Sequence, residues 1–353
     1  MRKDSIASTR FRDIDLRDPF FDSLRSAYPD FDSWFLKKSR NGQFAYVTYD
    51  DNGQIVAMMY LKDEDGYDDS IEPILGGRRL KIGTFKIDFE HHTGLGRRYL
   101  AIALRRFASG DYDYAYVTMF AGQSNVIALE RMLLKYGFEK WGVKQEEDVL
   151  IKRRPESGQG DPCADFPFVD LSNKKCWLLA IYPKYHIRMF GETDLKSEGG
   201  IPVKDEKSIN SIEKVYLSGS MNCMELSRGD LLLMYRTGDG QGPAYYRSVI
   251  SSICAVLSVK HLNEFGSFQE FKGHIRGKSV FNDDELRLFW RTRKYPWIIT
   301  MLYNLPFEKY PNRGLLLEKG LIPVDRIVCE PVTKDCLVEI AKLGGVNESY
   351  LLD

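Results

Sequence analysis

The stretch Leu80-Lys-Ile-Gly-Thr-Phe-Lys-Ile-Asp-Phe-Glu90, followed by His91-His92-Thr93-Gly94-Leu95-Gly96-Arg97-Arg98, holds the densest chemistry in the chain. It reads as a strand, a glycine-bearing turn and the start of a basic helix. A Gly-x-Gly turn feeding a helix start presents backbone N–H groups and the positive end of the helix dipole to an anion. Cations in the first helical turn are unfavourable by themselves, so Arg97 and Arg98 make sense where an anion sits. The expected ligand is a phosphate-bearing cofactor. A second class of chemistry lies further on. Lys184, Tyr185, His186 and Arg188 form one basic-aromatic cluster, and Arg287, Arg291, Arg293 and Lys294 form another beside Trp290, Tyr295 and Trp297. Such residues neutralise phosphates and stack bases, or form a solvated face over core aromatics.

The composition narrows the context. The chain has 353 residues, 43% hydrophobic and 28% charged, with Lys+Arg and Asp+Glu both at 50. That length allows two domains with separate cores. A net charge of zero excludes a uniformly basic nucleic-acid domain and leaves only local patches. No apolar run reaches a membrane-spanning length, and the N-terminus lacks an apolar signal core. Cys163, Cys176, Cys223, Cys254, Cys329 and Cys336 form no CxxC pair, and the histidines have no ligand spacing. This argues against a metal site or a disulfide framework and fits a reducing cytoplasm.

The elements that must position these groups follow from periodicity. Helical spacing runs from Ile14 to Leu24 and from Phe31 to Lys38. Phe44–Tyr49 and Ile55–Leu61 are strands joined by a turn at Asp50-Asp51-Asn52-Gly53. Asp63 to Asp69 reads as an acidic loop. In Leu80 to Phe89, Ile82 and Thr84 share one parity and Phe85, Ile87 and Phe89 the other. An amphipathic helix from Arg97 to Ala108, a strand from Tyr114 to Phe120, a helix ending at Gly137 and a hairpin to Lys152 complete this half. Residues 153–172 are rich in Pro and Gly and read as a linker. The second half reads as strands at Trp177–Tyr182, Lys214–Leu217, Asp230–Tyr235, Tyr245–Val259 and Trp297–Leu302. Helices are expected at Phe268–His274, from the capping box at Asn282 to about Lys294, and at Leu337–Leu343.

The order of elements over residues 11–152, with His91-His-Thr-Gly94-Leu-Gly96 after the fourth strand and Tyr136-Gly137-Phe138 after the last major helix, resembles the GCN5-related N-acetyltransferase (GNAT) fold. The family pattern is Gln/Arg-x-x-Gly-x-Gly/Ala, with His91 here in the first place. The resemblance implies acetyl-CoA or another acyl-CoA. The backbone of His92, Thr93, Gly94, Leu95, Gly96 and Arg97 would cradle the pyrophosphate, with Arg97 and Arg98 adding charge. Ile87 and Phe89 would offer backbone to the pantetheine arm, and Asn125 would contact it or act as an N-cap. The family's direct acyl transfer needs a base and a proton donor. Glu90 or Asp88 is placed for the base. The usual donor tyrosine is replaced by Leu133, leaving Tyr116 and Thr118 as substitutes by position.

Ala180-Ile-Tyr-Pro-Lys-Tyr-His-Ile-Arg-Met-Phe-Gly191-Glu192 and Ser227-Arg-Gly229-Asp230-Leu-Leu-Leu-Met-Tyr235 are similar to segments of PUA/ASCH-like domains, over about residues 173–333. The Gly-x-Lys-x-x-Glu-x-Arg pattern of ASCH domains is not kept. The resemblance implies RNA or modified nucleic acid as a ligand.

These readings give an α+β chain: a GNAT domain at 1–152, with a mixed, mostly antiparallel sheet flanked by helices, and a PUA-like β-barrel with helices at 173–353. The implied activity is acyl-CoA-dependent N-acetyl transfer to an RNA-linked amine, with tRNA as a partner. The alternatives are a protein or small-amine acceptor with the second domain used for assembly into an oligomer or for a partner protein, and a non-catalytic regulator of a toxin–antitoxin or defence pair.

Overall fold

Two compact units divide the chain, Met1–Arg154 and Pro155–Asp353. The computed structural model describes residues 6–88, 94–120, 124–191 and 212–353.

In the first unit the elements run β1 (Ala7–Arg10), α1 (Asp22–Ala27), α2 (Phe31–Arg40), β2 (Phe44–Tyr49), β3 (Ile55–Glu64), β4 (Arg79–Ile87), α3 (Leu95–Ser109), β5 (Tyr114–Met119), α4 (Ser124–Lys135), β6 (Glu139–Lys144) and β7 (Glu147–Arg153). They form one seven-stranded sheet in the order β1-β2-β3-β4-β5-β7-β6. The β2–β3 turn is set by Asp50, whose Oδ1 accepts from the N–H groups of Asn52 and Gln54 at 2.8 Å each, while Gly53 takes φ +81°. Only β4 and β5 are parallel, since α3 carries the chain back across the sheet. Tyr99, Leu100, Leu104 and Phe107 of α3 are buried, and the last three each contribute about 1.5–3 kcal/mol. Tyr99 also bonds Thr48 at 2.9 Å and stacks on Phe85. On the other face an aromatic cluster of Phe11, Phe21, Phe31 and Phe35 packs α2 against β2 and β3.

The second unit contains α5 (Pro162–Asp165), β8 (Val169–Asp170), β9 (Cys176–Ile181), α6 (Pro183–Phe190), β10 (Glu213–Ser218), β11 (Leu231–Arg236), α7 (Ala244–Arg247), β12 (Val249–His261), α8 (Phe268–Ile275), α9 (Asp283–Thr292), β13 (Trp297–Pro306), α10 (Arg313–Glu318), β14 (Cys329–Val332), α11 (Lys334–Leu343) and β15 (Leu351–Leu352). Six strands form a mixed sheet in the order β10-β13-β12-β11-β9-β14, and β15 pairs with β8. Only β9 and β11 are parallel within the six. Val215, Met301, Val256, Met234, Leu179 and Cys329, one from each strand, share one core. A short turn, Met221–Glu225, contacts β13 and β14, and Asn222 Nδ2 donates to the Cys329 carbonyl at 2.8 Å. The expected barrel is an open sheet among the described residues: β10 and β14 do not pair with each other.

Three sequence expectations differ locally. Pro19 breaks the Ile14–Leu24 region into single turns before α1. Tyr245 and Tyr246 lie in α7, and their strand begins only at Val249. Within the expected linker, Asp161 caps α5 by accepting from Cys163 N and Ala164 N, and β8 follows. Among the described residues no helix is long and apolar enough to cross a membrane, and no side-chain group suits a metal ion.

Candidate functional site

Strands β4 and β5 pair from Arg79 opposite Tyr114 to Ile82 opposite Val117, and no further. β4 continues to Ile87 and β5 to Met119, so the strands part after Ile82. The cause lies in β4. Its register against β3 shifts between Gly83 opposite Tyr60 and Lys86 opposite Met58, and Thr84 in that interval has φ +48°. A bulge bends the strand that carries it. The gap opens into a cavity of ≈ 850 Å³, within the range of ligand pockets. Its walls are Ile82 to Asp88, Val117 to Phe120, the Val126, Leu129 and Met132 face of α4, Gly94-Leu95-Gly96, and Tyr28, Phe31, Trp34 and Lys38 from the α1–α2 side.

The start of α3 borders the same cavity. Gly94 is its N-cap at φ +74°, with no side-chain cap. Gly94, being glycine, has no side chain of its own to cap the first-turn N–H groups. At Gly96 a Cβ would lie 3.1 Å from Ile87 Cδ1 and 3.4 Å from Met132 Sδ, so those side-chain ends would have to give way. These glycines form a backbone cradle that a side chain would fill. Arg97 is half-buried near the turn, whereas Arg98 is 4% exposed and packs inward.

The polar floor lies on the face toward α1 and α2. Lys62, Lys81 and Tyr116 form a cross-strand row, and Glu64 follows Lys62 on β3. The Tyr116 hydroxyl donates to Glu64 Oε2 at 2.5 Å, Lys62 Nζ donates to Oε1 at 2.6 Å, and Arg79 Nε lies 3.3 Å from Oε2. Burial works to raise the Glu64 carboxyl, but the bonds from Lys62 and Tyr116 and the Lys81 charge outweigh it and hold it below its ordinary value. Burial and the Glu64 carboxylate push the Tyr116 phenol up. Lys81 makes no hydrogen bond or ion pair with the described residues; its Nζ sits 5.4 Å from the Tyr116 ring centroid. Burial lowers the Lys81 ammonium, against the pull of Glu64. Across the cleft the Tyr28 hydroxyl donates to Glu147 Oε1 at 2.6 Å, and Lys38 donates to the Tyr60 hydroxyl at 3.1 Å while facing the Trp34 ring.

Of the residues singled out from sequence, Ile87, Asp88, Gly94, Leu95, Gly96 and Thr118 line the cavity. Tyr116 does not: it is fully buried beneath Glu64 with its hydroxyl engaged. Phe89, Glu90, His91, His92 and Thr93 lie outside the described residues, as does the Asn125 side chain. Leu133, at the position of the absent tyrosine, is core. The residues missed from sequence are Glu64, Lys81 and Glu147. The signal for the first was the period of two through Met58, Tyr60, Lys62 and Glu64.

In the second unit Lys184 Nζ and Arg188 Nη1 both reach Glu285, at 2.5 and 3.1 Å. Arg287 lies over the Phe268 ring, Arg293 over Trp290 at 3.9 Å and Lys294 over Tyr295, while Arg291 is exposed. The α9 residues thus keep their charges at the surface.

No protein-family model matches the chain, and no curated protein matches its sequence. Solved structures similar to it include ASCH proteins and GNAT acetyltransferases, each covering part of the chain. The ASCH protein of Zymomonas mobilis is 8% identical over 48% of this chain and 95% of its own, with a TM-score of 0.31. A GNAT-family acetyltransferase of Staphylococcus aureus is 11% identical over 38% and 88%, at 0.28. One from Streptococcus agalactiae is 16% identical over 37% and 75%, at 0.27.

Proposed function

We propose that the first unit binds an acyl-CoA, with acetyl-CoA as the simplest, and transfers the acyl group to an amine. One observation carries this reading: the gap where β4 and β5 part and the glycine start of α3 open into a single cavity. The cradle fits a pyrophosphate, the bulged strand edge from Gly83 to Ile87 fits an amide-bearing arm, and the apolar face of α4 fits its methylenes. When bound, CoA supplies an acyl group already activated as a thioester. The chain's residues do the rest. Gly94, Leu95, Gly96 and Arg97 hold phosphates, together with His92 and Thr93. Glu147 or Glu90 takes the proton from the acceptor ammonium, which the Glu64 carboxylate draws in by its charge. Tyr116 and Lys62 position Glu64. Thr118, on the wall of the cleft, stands where a leaving thiolate needs a donor.

The acceptor we favour is an amine carried on RNA, held by the second unit. Its support is the exposed edge of Arg287, Arg291, Arg293 and Lys294 beside Trp290 and Tyr295; Lys184 and Arg188 would join only on release from Glu285. Incubating the protein with tRNA and acetyl-labelled acetyl-CoA tests this. Label in the RNA fraction, with release of free thiol, is expected. Thiol release with small amines but never with RNA would move the acceptor to the small-amine class. CoA binding without turnover on any amine would leave a sensor rather than an enzyme.

A further inference from the structure

Among the described residues four lysines line the cleft: Lys38, Lys62, Lys81 and Lys86. Lys62 is bonded to Glu64, Lys38 to Tyr60, and Lys86 to the Phe20 carbonyl. Lys81 alone of these has no hydrogen bond or ion pair with a described residue. Its place is specific. Lys81 sits opposite Tyr116, one residue before the last β4–β5 pair, at the point where the strands separate.

Resting on the acyl-CoA reading above, we propose that Lys81 is itself an acyl acceptor, so that without another amine the cleft acylates its own Lys81 Nζ. Lys62 and Glu64 on β3, Tyr116 on β5, Lys144 on β6 and Glu147 on β7 surround the amine. Burial, then Lys144 and Lys62, favour its neutral form, while Glu64 and Glu147 oppose them. The neutral Nζ attacks the thioester carbonyl carbon; the C–N bond forms as the C–S bond breaks. The proton lost by nitrogen goes to the departing thiolate, giving an amide and free CoA, with no other reactant. The product also removes a charge from a largely buried position, which lowers the desolvation cost. An acylated Lys81 would occupy the floor on which an acceptor must rest, so acylation sets in when acceptor is scarce and lowers further turnover.

The test is peptide mass spectrometry of the full chain after incubation with labelled acetyl-CoA and no acceptor, from about pH 7 to about pH 9. Acetylation at Lys81 should outrun exposed Lys140 and Lys319 by on the order of 100-fold, as expected for an aligned thioester, and should quicken with pH. Acetyl phosphate, which lacks the parts of CoA that fit the cleft, should not show that preference. Lys81→Arg should still bind CoA in calorimetry but yield no acetylated peptide there. CoA binding with Lys81 unmodified, or modified no faster than Lys140, would overturn this inference and leave the cofactor reading standing. No CoA binding at all would overturn both.

Discussion

Both units set basic side chains among aromatic rings, and they treat them differently. In the second, Lys184 and Arg188 converge on Glu285, and the same carboxylate accepts from the Asn282 backbone to close the capping box of α9. In the first, Lys81 faces the Tyr116 ring at the head of a gap between strands, with no such acid closing on it. Half-exposed ion pairs add little stability, but they do consume charge. A lysine held by an acid belongs to the scaffold, whereas one left facing a cavity is available to a ligand. The α9 edge is intermediate: its cations rest on rings and remain open to solvent.

The largest effect should come from filling the glycine cradle. Gly96→Leu should weaken acetyl-CoA binding by about 100-fold, or ~2.7 kcal/mol, in calorimetric titration. The RNA binding proposed for the second unit should be unaffected, and equal acetyl-CoA affinity in wild type and variant would remove the cradle from the site. Next, Arg287→Ala combined with Arg291→Ala and Lys294→Ala should reduce the salt dependence of RNA binding, by a slope of roughly 0.7 for each phosphate that is no longer neutralised. An unchanged slope would make this edge a solvated face like any other. Glu285→Gln keeps an acceptor for the Asn282 N–H, so stability in urea should change by less than about 1 kcal/mol, while loss of the carboxylate frees Lys184 and Arg188 and should tighten RNA binding; unchanged RNA affinity would show that those two cations face no RNA.

The smallest effect has a definite sign. The folded chain holds Lys81 below its ordinary value of 10.5. Between the folded and unfolded values the unfolded state binds more protons, so this residue's contribution to stability rises with pH through that window. Lys81→Met should therefore raise the melting temperature near neutrality, and the gain should shrink as pH approaches 10.5. A gain independent of pH would mean that lost charge is not its cause.

The strand through Ile87 and the helix start at Gly94 were legible because alternation and glycine chemistry are local signals. So was α9, where Asn282 and Glu285 make both capping-box bonds. The floor of the cleft was not. Asp63 to Asp69 has the composition of a loop, yet β3 persists through Glu64 because Lys62 and Glu64 pair with Lys81 and Arg79 of β4. Only that pairing brings Glu64 onto Tyr116, 52 residues away. Tyr245 and Tyr246 carry strand-like propensity, but the helix that begins after Pro243 overrides it. The Pro- and Gly-rich stretch before Leu171 gave no sign that Asp161 caps a helix and pairs with Arg228 at 2.8 Å.

The most direct test of the central reading is a crystal structure of the protein with CoA. The pyrophosphate should accept hydrogen bonds from the backbone around Gly94 to Gly96, and the arm should run between β4 and β5 with its sulfur near Gly83 and Thr118. CoA found elsewhere, or no CoA at concentrations that saturate acyltransferases, would contradict it.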